Sequence, residues 1–555
     1  MTQGRNVAFL DNAHNQDKCP FAWYCLPMIS VKKYEQSFHI QDGNFADAYT
    51  FVENMLTRKD ISKQAASEAL LVFESLMQKL VDWGLDENTV LDISGVNKLG
   101  DLGIRIGFDG RMFTPYADGT DSLEDRILKG HDDKLDFSYR MGYNSITISV
   151  RRAMHKSLIA CAVATLCAFV SYTYIHATMD AQGQTALLTG YVFPIEKLYT
   201  NAALMVGAPM TFFSLLRNLT SAYITAQRDS SVRRLQVRTL GTSVLAIILA
   251  FVSTILTFLL FSRAQSIAAE FTLLVDRSFA EIITELIPPS IFEPFEAISP
   301  VPLMVVALLA TYAMCSAGKH FDFLQQTLMA CYTIFSRMLH VVIAVLPFFC
   351  FFAVLDMLIA SGYKTVLELL GFCVAVIVAL SLLFAAYAIR LRAAGIKVIP
   401  FVRDIFPLIH ENVKIGSAID AAPYNIRFCS RTLKMNRQAL ERNLPVLAQI
   451  NLDGNCFIIM YFTMVLMYMT NTATSPLGFV SIALLILLLS YGAPNQPGSI
   501  LIGILIVTMY LGTNELLCTA IFAEAFLGTM QNLVNVIGDI VIAAIEDKKQ
   551  QQASA

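Results

Sequence analysis

Beyond residue 156 the chain is dominated by apolar runs long enough to cross a bilayer as helices. They fall at 157–178, 194–225, 238–262, 301–318, 333–360 and 365–390, and about 20 apolar residues suffice for one crossing. After residue 400 the pattern changes. Two apolar stretches are interrupted by Gly and Pro, Ile415–Pro423 and Ser490–Gly498, and each precedes a further apolar helix. The first of these helices opens with Asn451-Leu452-Asp453-Gly454-Asn455, and the second contains Asn535-Val536-Ile537-Gly538-Asp539. Unwound backbone at membrane depth survives only where protein or a water-filled cavity satisfies its polar groups. Paired interruptions in corresponding positions therefore point to a midplane binding site. The pattern predicts an α-helical polytopic membrane protein with eight transmembrane helices and two re-entrant hairpins.

The first 150 residues read differently. Ile61–Trp83 puts Ala69, Leu70, Phe73, Leu76 and Leu80 on one helical face, and Leu102–Ile106 and Ser145–Val150 alternate as strands. The expected domains are a soluble α+β unit at 1–150, a membrane unit at 151–548 and a disordered tail at 549–555.

Composition narrows the class. With 555 residues, 55% hydrophobic and 15% charged, and a mean hydropathy of +0.54, the chain is too apolar for one soluble core. The net charge of -3 identifies no partner, and nucleic acid is not expected as one. The 11 cysteines lack metal-type spacing, and Cys161, Cys167, Cys350 and Cys373 sit in apolar helices as small hydrophobes. A disulfide framework is not expected, in keeping with a bacterial-type inner-membrane protein whose soluble part is cytosolic.

Loop charges suggest an orientation. Leu158–Tyr174 is the first long apolar run and acts as the first anchor, with no secretory signal before it. Arg151, Arg152 and Lys156 precede this span, Arg228, Arg233, Arg234 and Arg238 follow the second, and Arg390, Arg392 and Lys397 follow the sixth. Met179–Glu196 carries no Lys or Arg and reads as an external loop. Both termini are then cytoplasmic. Four prolines in Pro289–Pro302 predict a bent or re-entrant connection.

The last helix carries the candidate chemistry. Glu524, Gly528, Gln531, Asn535 and Asp539 are spaced by four, three, four and four, forming one stripe that faces other protein. A carboxylate at mid-bilayer costs about 2.5–3.5 kcal/mol on insertion scales. A bound cation removes that objection for Asp453 and Asp539. Thr242, Ser243, Ser253 and Thr254 in the third span are candidates to complete a cation site.

Six spans, hairpin, helix, hairpin, helix is an order that resembles the dicarboxylate/amino acid:cation symporter family, the glutamate-transporter fold. Asn451-Leu452-Asp453-Gly454 looks like its Asn-Met-Asp-Gly motif, and Val534-Asn535-Val536-Ile537-Gly538-Asp539 like its Val-Asn-Val-Thr-Gly-Asp motif. Pro497-Gly498 stands where the second hairpin's tip is expected. The resemblance covers roughly residues 150–547. It implies sodium as coupling ion, with Asp539 and Asn535 holding one ion and Asp453 and Asn451 helping to hold another. It also implies a homotrimer in lipid, and a solute site at Ser417, Asn455, Gln496, Gly498, Gly528, Gln531, Asn532 and Asn535.

The solute side departs from the family. Its Asp for an ammonium group and its Arg for a second carboxylate are here Gly528 and Gln531, its Thr is Asn532, and the Thr ending the seventh-helix motif is Asn455. Without those charges a glutamate-like cargo is disfavoured, and a small organic anion or polar amino-acid-like solute fits better. Arg427, just after Pro423, either lies in a cytoplasmic loop or supplies a substitute cation.

The N-terminal unit resembles the GHKL ATP-binding fold in the style of anti-sigma-factor kinases. Glu74 and Gln78 occupy its Glu and magnesium-binding Asn positions, and Asp109-Gly110-Arg111-Met112-Phe113-Thr114-Pro115 looks like its strand-to-loop signature. Leu123–Arg126 and Asp136–Asn144 follow its closing pattern. The glycine-rich lid after Arg126 is missing and Phe108 replaces the adenine-binding Asp, which points away from ATP and magnesium and toward a degenerate regulatory domain, with a cytosolic signalling partner possible. The reading is a secondary active, sodium-coupled symporter with a fused cytosolic unit, and not an enzyme. The alternative is a transporter-like sensor that binds solute and signals through that unit, and an active kinase is the weakest reading.

Overall fold

The computed structural model describes residues 29–554 except 40–44, 58–60, 62, 84–88, 99–100, 112, 114–127, 129–134, 141, 151–154, 229, 262–271, 274–283, 285, 318–320, 470–471, 474–475, 494–496 and 512–516. It divides into two compact units, Met1–Arg151 and Arg152–Ala555.

In the first unit β1 (Ile29–His39), α1 (Ala46–Thr57), α2 (Lys63–Asp82), β2 (Val90–Lys98), β3 (Asp101–Asp109), β4 (Leu135–Arg140) and β5 (Tyr143–Val150) follow in order. The strands form one sheet in the order β1-β2-β3-β5-β4, with every pair antiparallel. Register lines up Ile93, Ile106 and Ile146 across three strands, and Ile104, Ile148 and Leu135 across the next row. These side chains are buried with Ala69, Phe73, Leu76 and Leu80 of α2. Period two in the strands and 3.6 in the helix thus meet on one apolar face. Asn144 fixes the end of β3 by accepting from Phe113 N at 2.9 Å and donating to Arg111 O at 2.9 Å.

The second unit is helical. Its elements are α3 (His155–Thr178), α4 (Ala181–Leu187), a π-turn (Leu188–Val192), α5 (Phe193–Arg228), α6 (Ser230–Phe261), α7 (Glu293–Glu296), α8 (Pro300–Cys315), α9 (Phe321–Ala344) and α10 (Leu346–Ala393). Then come α11 (Val398–Ile415), α12 (Ala418–Thr432), α13 (Arg437–Ile450), α14 (Asp453–Met469), α15 (Pro476–Gly492), α16 (Ser499–Leu511) and α17 (Leu517–Ser554). Ile159, Val163, Leu166, Val170 and Tyr174 make an exposed apolar stripe on α3, as a lipid-facing helix requires. Helices α14 and α16 are enclosed along almost their whole length.

Several expected boundaries move. Among the described residues seven helical stretches are long and apolar enough to span a bilayer, with three shorter apolar helices beside them, where the sequence pattern suggested eight spans. The run at 301–318 is the short helix α8. The run at 333–360 is split at Val345, where Pro347 sits in the first turn of α10 and cannot continue the preceding helix. Unbroken, the 48 residues of α10 would reach about 72 Å, but Gly362 at φ 74 and ψ -176 divides them, close to the expected break at 360–365. Met179–Glu196 is helical rather than a loop, because Asp180 accepts from Gly183 N and caps α4. Helix α17 runs on to Ser554, so the expected tail carries helical backbone. In Pro289–Pro302 the chain forms only the four-residue α7 before Pro300 starts α8.

Candidate functional site

Three chain breaks converge on α17. The first ends α11, where Gly416 takes the left-handed conformation at φ 72 that terminates helices without a Cβ penalty. Ser417, buried, then accepts through its carbonyl from Ala421 N at 3.0 Å and starts α12. Asn412 and Asn425 bond each other across the two arms at 2.9 and 3.3 Å. The second break lies between α13 and α14. Asn451 is extended at φ -95 and ψ 93, and Asp453 falls in the first turn of α14, where the helix dipole favours negative charge. The sequence motif therefore stands between two helices, α13 having been missed. The third break follows α15, whose terminal carbonyls Tyr491 O and Ala493 O are met by Asn218 Nδ2 at 2.8 Å and Ser214 Oγ at 3.1 Å.

The two aspartates are buried and differently partnered. Asp453 Oδ1 accepts from Ser243 Oγ at 3.0 Å and Oδ2 from Tyr387 OH at 2.7 Å. Asp539 Oδ1 accepts from Asn451 Nδ2 at 2.9 Å. Asn535 turns elsewhere, its Oδ1 accepting from Gly454 N at 2.8 Å and its Nδ2 donating to Asn455 Oδ1 at 2.9 Å. The hydrogen bonds join Asp539 to Asn451, and Asp453 to α6 and α10. Gly538 makes this possible, since a Cβ there would lie 2.7 Å from Asn451 Nδ2 and 2.8 Å from Tyr387 OH.

The solute-side residues also assemble. Gln531 accepts from Ser499 Oγ at 2.8 Å and donates to Asn455 Oδ1. Asn532 donates to Gly416 O, tying α17 to the first break. Gly498, at φ 101, gives its N–H to Glu524 Oε1 at 2.8 Å, and Leu501 N reaches Oε2 at 3.0 Å. Gly528 lies beneath that carboxylate. Gln496 lies outside the described residues. Of the third-span candidates Ser243 and Thr242 reach Asp453, Thr242 also bonding Thr239 O, while Ser253 and Thr254 bond backbone carbonyls. Arg427 is exposed on α12. Tyr387 and Ser499 were not anticipated, although a buried Tyr hydroxyl in an apolar helix must find a partner.

Two buried amide atoms here have no partner among the described residues: the acceptor Asn451 Oδ1, beside Asp539, and the donor Asn455 Nδ2, beside Gln531. The first is a hard oxygen adjoining a carboxylate, the ligand type an alkali cation takes. Among the described residues no three His, Cys, Asp or Glu cluster, so a cation would draw on amide and backbone oxygens as well. In the first unit Glu74, Gln78, Asp109 and Gly110 are all exposed. Gln78 donates to Asp82 on its own helix and Gly110 N to Gly142 O.

Broken helices meeting around buried carboxylates define a multi-pass membrane protein with an enclosed polar site. The chain belongs to the sodium:dicarboxylate symporter family, whose profile matches residues 154–549. It is a membrane transporter and not an enzyme, and its family couples sodium to dicarboxylate or amino-acid cargo. Comparison with curated proteins gives no match.

Proposed function

We propose that the protein is a sodium-coupled secondary active symporter of a small carboxylate-containing solute. One observation carries the reading: an unpartnered acceptor, Asn451 Oδ1, lies beside Asp539, and an unpartnered donor, Asn455 Nδ2, beside Gln531. The first suits a cation and the second an oxygen of the cargo. Asp539, Asn451 and Asp453 hold sodium, with the Asn535 carbonyl close by. Ser417, Asn455, Gln531, Asn532 and Asn535 surround the solute. The α11–α12 and α15–α16 pairs act as re-entrant hairpins, and the cation lowers the cost of closing the second over the cargo. The protein works as a homotrimer in the plasma membrane, inner in a bacterium, with both termini cytoplasmic.

Residues 1–150 act as a GHKL-like regulatory domain without catalysis. The order β1-α1-α2-β2-β3 and then β4-β5 supports that reading, while Phe108 buried in the core argues against adenine recognition there. The separate compact unit at Met1–Arg151 also favours a second reading, a sensor that binds solute without flux. Solute-dependent sodium uptake into proteoliposomes tests both. Uptake lost in Asp539→Ala supports symport; binding with no flux in the unmodified protein supports the sensor.

A further inference from the structure

Helix α16 begins at Ser499, and its first N–H groups have no partner within the helix. Such an end attracts anions. Here the anion is part of the chain. Glu524, buried on α17, places Oε1 2.8 Å from Gly498 N and Oε2 3.0 Å from Leu501 N. The N–H groups of Gly498, Ile500 and Leu501 together hold the carboxylate, the arrangement a cargo carboxylate would otherwise adopt at a broken-helix tip.

Residue 528 makes room for this. A Cβ at Gly528 would lie 2.5 Å from Glu524 Oε1 and 3.1 Å from its Cδ, so any larger residue displaces the carboxylate. The acidic group absent from position 528 is replaced in space by one reaching over from one turn earlier. Around it are neutral groups: Ser499 and Gln531 bond each other at 2.8 Å, and Arg427 is exposed on α12. A second carboxylate brought by the cargo would meet a like charge in a buried site.

We propose that Glu524 is a resident anion occupying the carboxylate seat at the tip of the α15–α16 pair, limiting the cargo to molecules with at most one carboxylate. This rests on the symporter reading and narrows its cargo class. It also means that the tip is latched to α17 by the chain itself. Cargo with two carboxylates competes with Glu524 for the same N–H groups.

Chemical rescue tests this in the full-length protein. Thermal unfolding is followed for the wild type, Glu524→Ala and Glu524→Gln, with acetate or succinate added against chloride at equal ionic strength and constant sodium. Acetate is expected to stabilise Glu524→Ala saturably and leave the wild type unmoved. Succinate is expected to bind Glu524→Gln at least about tenfold tighter than the wild type. Gly528→Ala keeps the charge but evicts the carboxylate, so amide exchange at Gly498 and Leu501 should accelerate in it, as in Glu524→Gln. A wild type stabilised by succinate as strongly as Glu524→Gln overturns the proposal. So does unchanged exchange at both amides, or a folded Glu524→Ala indifferent to acetate. The wild type's sodium response, weakened in Asp539→Asn, reads the cation site separately: if it is seen while rescue fails, only this inference falls. A wild type without any sodium response removes the symporter reading and this inference together.

Discussion

The hydroxyl of Tyr387 donates to Asp453 Oδ2 at 2.7 Å, joining α10 to the break between α13 and α14. Both residues are buried, and Ser243 from α6 supplies the second bond to the same carboxylate. Three helices thus hold one charge in place. Replacing the hydroxyl leaves a buried carboxylate oxygen without its donor, at a cost of about 1–3 kcal/mol. Tyr387→Phe should therefore lower thermal stability in choline buffer. The loss should shrink in sodium, where the ion satisfies the oxygen instead. Equal losses in the two buffers would show that Asp453 does not face the cation.

Among the described residues Asp539 has one side-chain donor, Asn451, whose own carbonyl has no partner there. Asp539→Asn removes the charge and keeps the shape. Its sodium midpoint, read from melting temperature against sodium concentration, should rise by at least about tenfold. Asn451→Ala should move it in the same direction by less, since one ligand is lost without a charge. A midpoint unaltered in both would exclude the pair as sodium ligands.

The broken segments were legible because their signals are local: Gly416 and Gly498 adopt φ values that favour glycine, and Asp453 and Asp539 are charges in otherwise apolar sequence. The missed parts depend on tertiary context. Helix α13 contains Arg437, Glu441, Arg442 and Pro445, so a hydropathy pattern passes over it, although Leu440, Leu444 and Leu447 make its buried face. Tyr387 has no periodic signature inside α10. Glu524 was visible as part of a stripe, but only folding shows that its carboxylate crosses Gly528 to reach another helix. In the first unit the alternation of Ile104 and Ile106, and of Ile146 and Ile148, was sufficient for β3 and β5.

Within that unit Asn144 satisfies two backbone groups at once, Phe113 N and Arg111 O. Asn144→Ala leaves both without side-chain partners, and the cost should be about 1–3 kcal/mol. Hydrogen exchange in β3 and β5 should quicken while that of α14 and α17 stays unchanged. Exchange that does not quicken in β3 would mean that this turn is held by other contacts.

Gly538 separates the two aspartate clusters, and its missing side chain is what allows Asn451 and Tyr387 to approach α17 together. A methyl group there would stand 2.7 Å from Asn451 Nδ2 and 2.8 Å from Tyr387 OH, closer than packed atoms tolerate. Neither neighbour is free to retreat, because each is bonded to an aspartate. Gly538→Ala should cost about 1–3 kcal/mol of stability, as overpacking of a filled interior does. It should also weaken sodium binding more than Gly371→Ala, a helical glycine whose added Cβ meets nothing within 4 Å. The comparison uses sodium titrations of both variants in the same detergent. Equal midpoints would mean that the approach of α10 and the α13–α14 break to α17 does not shape the cation site.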